Sequence, residues 1–109
     1  MLYKEYELSG NCFVDFDTEI RFEMAKAKVE EVELVKLILP KANEDDISRL
    51  TVCATKVLRA LRNDGKIQFF VTPDGFRSNT QQAQFLLNKY YDSLENVLDN
   101  GTTDIFIKM

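Results

Sequence analysis

Asp15-x-Asp17-x-Glu19 is the first group whose residue types and spacing could do chemistry. Three carboxylates at alternate positions open like a calcium loop. Such a loop needs Gly at its sixth position and a bidentate Glu at its twelfth. Here those positions hold Ile20 and Lys26. On a strand, alternate side chains stand about 6.6 Å apart, too far to converge on one cation. No metal and no cofactor is therefore expected, and what remains is charge. Glu5, Glu7, Asp15, Asp17, Glu19 and Glu23, on two paired strands, would make a negative stripe interrupted by Arg21. Such a stripe is either a solvated sheet face or a contact for a basic protein partner, such as the groove of a nucleic-acid-binding protein. In the second case, reversing charge at Asp15, Asp17 and Glu19 weakens binding and leaves stability unchanged.

Arg59, Arg62, Lys66 and Arg77 form the alternative site, a basic patch that would contact nucleic-acid phosphates with steep salt dependence. Lys66–Val71 carries two adjacent aromatics, as a base-stacking RNA-binding strand does. The Gly of such a strand is missing, and no second aromatic strand is evident. The chain carries 18 acids and 14 bases, a net charge of −4, which disfavours wrapping a polyanion. The acids concentrate in residues 1–50, with 12 against 7 bases.

Catalytic chemistry has little to work with. The chain has no His, the commonest general base, metal ligand and pH switch. Cys53 and Lys56 lie three apart on a helical segment, but a thiolate nucleophile also wants a base and an oxyanion hole. No phosphate-binding loop, dinucleotide fingerprint or nucleophile elbow occurs. The expectation is a non-catalytic protein. Cys12 and Cys53 form no metal or redox spacing and read as reduced thiols. The N-terminus lacks an apolar signal region, and the longest run of large apolar residues is Leu37-Ile38-Leu39, far short of a membrane span. A cytoplasmic protein with no membrane contact is expected.

These residues must be positioned by one domain of 109 residues, with no repeat, linker or low-complexity tract. Residues 2–8 alternate as a strand. Ser9-Gly10-Asn11 is a turn signal. Val14, Phe16, Thr18, Ile20, Phe22 and Met24 then alternate with charged residues, predicting the second strand of an antiparallel hairpin. For 26–39 the choice lies between helix and strand. Val29, Val32, Val35 and Ile38 favour helix, stopped by Pro40. Residues 44–63 predict a helix capped by Asn43 and closed at Gly65, with an apolar stripe from Ile47 to Leu61.

Ile67–Val71 reads as a buried strand, Thr72-Pro73-Asp74-Gly75 as a turn, and Phe76-Arg77 as a short partner strand. A helix follows from a cap among Ser78–Thr80. Its stripe is Ala83, Leu86, Leu87, Tyr90, Leu94, Val97 and Leu98, and Asn100-Gly101 ends it. Thr102–Met109 is a last strand, parallel to Ile67–Val71 if the crossover is ordinary. The expected fold is α+β: a two-layer sandwich of an N-terminal hairpin, a mixed sheet of four or five strands with helices on one face, and a C-terminal β-α-β unit.

The first functional expectation is a small acidic protein-binding module, an inhibitor or assembly component. Viral and mobile-element accessory proteins are often of this size. The alternatives are the nucleic-acid binder above and a homo-oligomeric structural protein, at its simplest a homodimer. The last would join through an edge strand or through Phe13, Phe85, Tyr91 and Phe106, aromatics surplus to the apolar stripes.

Overall fold

The stretch with the cleanest alternation folds as a helix. In the computed structural model, Phe13–Val29 is α1, so the expected second hairpin strand does not form. Phe16, Ile20 and Met24 are spaced by four, a spacing that repeats on one face of a strand and of a helix alike. Glu23 and Ala27 extend the buried face only in a helix. Lys26 and Lys28 stand in its last turn, where the helix dipole favours cations.

The structure describes residues 2–10, 13–40, 43–100 and 103–109, without the side chains of Glu44 and of 98–100. The expectations placed on Asn11, Cys12, Gly101, Thr102 and the Leu98 side chain lie outside the described residues. The elements are β1 (Tyr3–Glu7), α1, β2 (Leu34–Ile38), α2 (Glu44–Asn63), β3 (Phe69–Val71), α3 (Pro73–Arg77), α4 (Gln81–Lys89), α5 (Tyr91–Asn100) and β4 (Ile105–Lys108). The sheet order is β1-β2-β4-β3. β1 pairs parallel with β2, placing Tyr3 opposite Leu34. β4 runs antiparallel to both β2 and β3, with Ile107 opposite Val35 and Phe70. The fold is α+β with a mixed sheet, as expected, and α1 connects two parallel strands where a hairpin was predicted.

Residues 26–39 divide between the end of α1 and β2, not one helix. Leu34, Val35 and Leu37 are all buried, because β2 lies between two strands and under helices on both sides. A strand covered on both faces reads as an apolar run, which mimics a helical stripe. α1 stops with Glu31 in the left-handed region at φ 57°. Val32 N–H donates to Ala27 O at 3.0 Å and Glu31 N–H to Lys28 O at 3.1 Å, a Schellman closure. α2 closes in the same way through Gly65 at φ 73°. Its start matches expectation: the Asn43 side chain accepts from Asp46 N–H at 2.9 Å.

α1 and α2 cover one face of the sheet, packing Phe16, Ile20, Val57 and Leu58 with Val35, Leu37, Ile105 and Ile107. Ala83, Leu86, Tyr90 and Leu94 of the later helices cover the other, with Leu34, Val71 and Phe106. The sheet therefore carries helices on both faces, where a two-layer sandwich with one helical face was expected.

Three further expectations change. Phe76-Arg77 belongs to α3, because Thr72 accepts from Gly75 N–H at 3.3 Å as N-cap and Pro73 supplies the first helical residue. The helix expected across 81–98 breaks at Tyr90, at φ −117° and ψ 37°. Leu86 before the break and Leu94 after it are both buried against the sheet. Finally, β3 and β4 keep the strand–helix–strand order but pair antiparallel, not parallel.

Candidate functional site

With 13–29 helical, successive residues turn by about 100°, which keeps Asp15, Glu19 and Glu23 on one side of α1 and turns Asp17 away from them. Glu19 points back at β1. Its Oε2 accepts from the Tyr6 hydroxyl at 2.6 Å, the Ser9 N–H at 2.9 Å and the Ser9 hydroxyl at 3.0 Å, and its Oε1 accepts from Gly10 N–H at 3.1 Å. Burial alone would push this carboxyl up; the hydrogen bonds from Tyr6, Ser9 and Gly10 outweigh it and hold the group below its ordinary value. The same bond, with burial, pushes Tyr6 up to about 12. Gly10 is required there, since any Cβ would collide with the Asp15 Cβ.

Glu23 is buried, 3.9 Å from Lys4 Nζ. Asp17 accepts from Arg21 Nε at 2.8 Å, one turn on. Glu5, on β1, accepts from the Tyr3 hydroxyl at 3.1 Å and lies 3.6 Å from Lys36 Nζ. Glu7, also on β1, and Asp15, on α1, are exposed. Asp15, Glu19 and Glu23 thus share, at i, i+4 and i+8, the side of α1 toward β1, whereas Asp17 lies on the other side of the helix and Glu5 and Glu7 stand on β1, so the six make no single stripe.

The alternative patch is divided as well. Arg59 and Arg62 are exposed on α2, the Arg62 guanidinium 5.5 Å from the Phe70 ring centre. Lys66 follows α2. Arg77 is on α3, across the sheet, bonded to Asp74. The surplus aromatics do not form one cluster. Phe106 is core, edge-on to Phe76 at 5.4 Å. Phe13 is on α1 near the Lys56 ammonium, whereas Phe85 and Tyr91 are exposed on α4 and α5.

The helix brings together a different set. Val14, Thr18, Phe22, Ala25 and Val29, spaced 4-4-3-4, form one line on the outer face of α1. Val14 is 70% exposed, Phe22 65% and Val29 84%. A surface helix normally buries one apolar stripe and turns a polar face outward. α1 buries Phe16, Ile20, Met24 and Ala27 and turns a second apolar line to solvent. Beside it runs a groove of about 280 Å³ between α1 and the end of α2. Met24, Ala25, Val29 and Leu61 line it, with Arg21, Lys28 and Lys66. Val14 and Phe22 belong to the same period-two list as the buried residues, and that is why sequence reasoning missed the line: alternation merges two opposite helical faces into one.

Among the described residues, no group of three or more His, Cys, Asp or Glu side chains could hold a metal ion, and no helix is long and apolar enough to cross a membrane. No protein-family model matches the chain, nor does any curated protein sequence or solved structure.

Proposed function

We propose that the chain is a non-catalytic protein-interaction module whose contact surface is the outer face of α1. The observation that carries this reading is the solvent-facing line of Val14, Phe22 and Val29. Exposed to this extent, these side chains contribute little to folding, and a line of large apolar residues on the surface of a soluble domain marks an interface. Phe22 stands at its middle, where an aromatic anchor has most effect. The acidic residues act here as flanks and structural ties, not as one docking face. The nucleic-acid alternative is left with Arg59, Arg62 and Lys66, since Arg77 lies across the sheet.

The test compares the parent with a Val14→Ser, Phe22→Ser, Val29→Ser variant. The variant is expected to keep its unfolding free energy within about 1 kcal/mol. It is also expected to lose both self-association and the proteins that the parent retains from a nuclease-treated lysate. Equal self-association and equal retention by the two would reject the proposal.

A further inference from the structure

We infer that the occupant of this surface is α1 of a second copy of the chain, packed antiparallel across a two-fold axis near Phe22. The inference rests on the reading of the outer face of α1 as a protein interface, and adds the partner and its direction. The first ground is the spacing. Val14, Thr18, Phe22, Ala25 and Val29 recur at steps of four, four, three and four residues, which holds them in one stripe along the helix that a second helix can cover. The line is centred close to Phe22. Reversing one copy therefore lays Val14 over the partner's Val29, Thr18 over the partner's Ala25, and Phe22 on the partner's Phe22. A two-fold interface must be self-complementary in this way.

The second ground is charge. Flanking the line, the first half of α1 carries Asp15 and Asp17 and the second half carries Lys26 and Lys28. On a helix turning about 100° per residue, Asp17 and Lys28 share one flank, and Asp15 and Lys26 the other. An antiparallel two-fold pair brings like flanks together with their ends reversed. Asp17 then approaches the partner's Lys28, Asp15 approaches the partner's Lys26, and symmetry makes each contact twice. The groove fits this arrangement, because Arg21, Lys28 and Lys66 line the end of α1 that receives the partner's acidic half. Arg21, nearest the axis, is already held by Asp17 at 2.8 Å. A parallel two-fold pair would instead bring opposite flanks together with their ends aligned, setting Asp17 against the partner's Asp15 and Lys28 against the partner's Lys26. The helix dipoles also oppose one another only in the antiparallel pair.

Sedimentation velocity of the full chain, from about 1 µM to about 1 mM, tests this. A reversible monomer–dimer equilibrium is expected. Phe22→Asp sets two carboxylates against each other at the axis and is expected to raise the dimer Kd at least about tenfold, with circular dichroism unchanged because Phe22 is a surface residue. Asp17→Lys replaces two attractive contacts with two repulsive ones and is expected to raise Kd about fivefold. Adding Lys28→Asp restores opposite charges in the antiparallel pair and is expected to recover the lost affinity. A parent that stays monomeric throughout overturns the inference, as does a Phe22→Asp variant that dimerises like the parent, or an Asp17→Lys loss that Lys28→Asp does not repair. If the parent is monomeric but retains lysate proteins that the triple serine variant loses, the second copy is rejected while the interface reading stands.

Discussion

Glu19 gathers four hydrogen bonds from β1 and the two residues leading away from it. A single carboxylate thereby fixes where the chain leaves the sheet and enters α1. Because its folded pKa lies below the unfolded value of about 4.3, the stability it contributes is complete above that value and is lost as pH falls through the folded pKa. Glu19→Gln keeps the size but turns an amide N–H₂ toward donors. It is expected to cost about 2 kcal/mol near neutral pH and to flatten the acid limb of the stability profile. Denaturant titrations at stepped pH measure both; an acid limb as steep as the parent's would show that the Glu19 charge is not the anchor. Charge reversal at this residue, expected from sequence to be harmless to the fold, is therefore expected to destabilise it.

α1 and α2 end on the same backbone motif with different residues at the left-handed position. Gly65 adopts it without a Cβ clash, whereas Glu31 at φ 57° does not. Left-handed geometry costs an ordinary L-residue roughly 1–2 kcal/mol. Glu31→Gly is therefore expected to stabilise the protein by about 1 kcal/mol, read as a higher denaturant midpoint at unchanged slope. A fall in the midpoint would mean that the Glu31 side chain makes a contact worth more than the strain. The residue lies just beyond α1 and off its outer line, so the stabilised variant should also retain the surface behaviour of α1.

β2 and β4 lie side by side in the middle of the sheet, and each contributes to the apolar clusters on both faces. The two clusters should therefore unfold together. Phe106, buried beside Phe76 beneath α4 and α5, tests this coupling. Phe106→Ala is expected to cost about 3–5 kcal/mol, a large part of a typical total of about 5–15 kcal/mol. It should equally accelerate labelling of Cys53, which packs into the cluster on the opposite face, as followed by peptide mass spectrometry. If Cys53 stays protected while the Tyr90 side melts, the two faces are separate units.

The sequence by itself determined the elements whose signals are local. The Asn43 cap, the stripe from Ile47 to Leu61 and the Gly65 stop define α2 without reference to anything distant, and the α+β class follows from apolar runs alternating with helical stripes. The acidic balance and the lack of His are likewise properties of the chain alone. Only the tertiary structure decided between strand and helix for 13–29. Phe16, Ile20 and Met24 satisfy both periods, and the choice falls to what they pack against: the apolar face of β2 and β4 carrying Val35, Leu37, Ile105 and Ile107, which α1 covers as a helix. It also decided that Leu34–Ile38 is a strand, since its apolar run has meaning only with neighbours on both edges. The candidate site was hidden by the same ambiguity. Val14, Phe22 and Val29 become an outward line only once the helix has turned Phe16, Ile20 and Met24 inward.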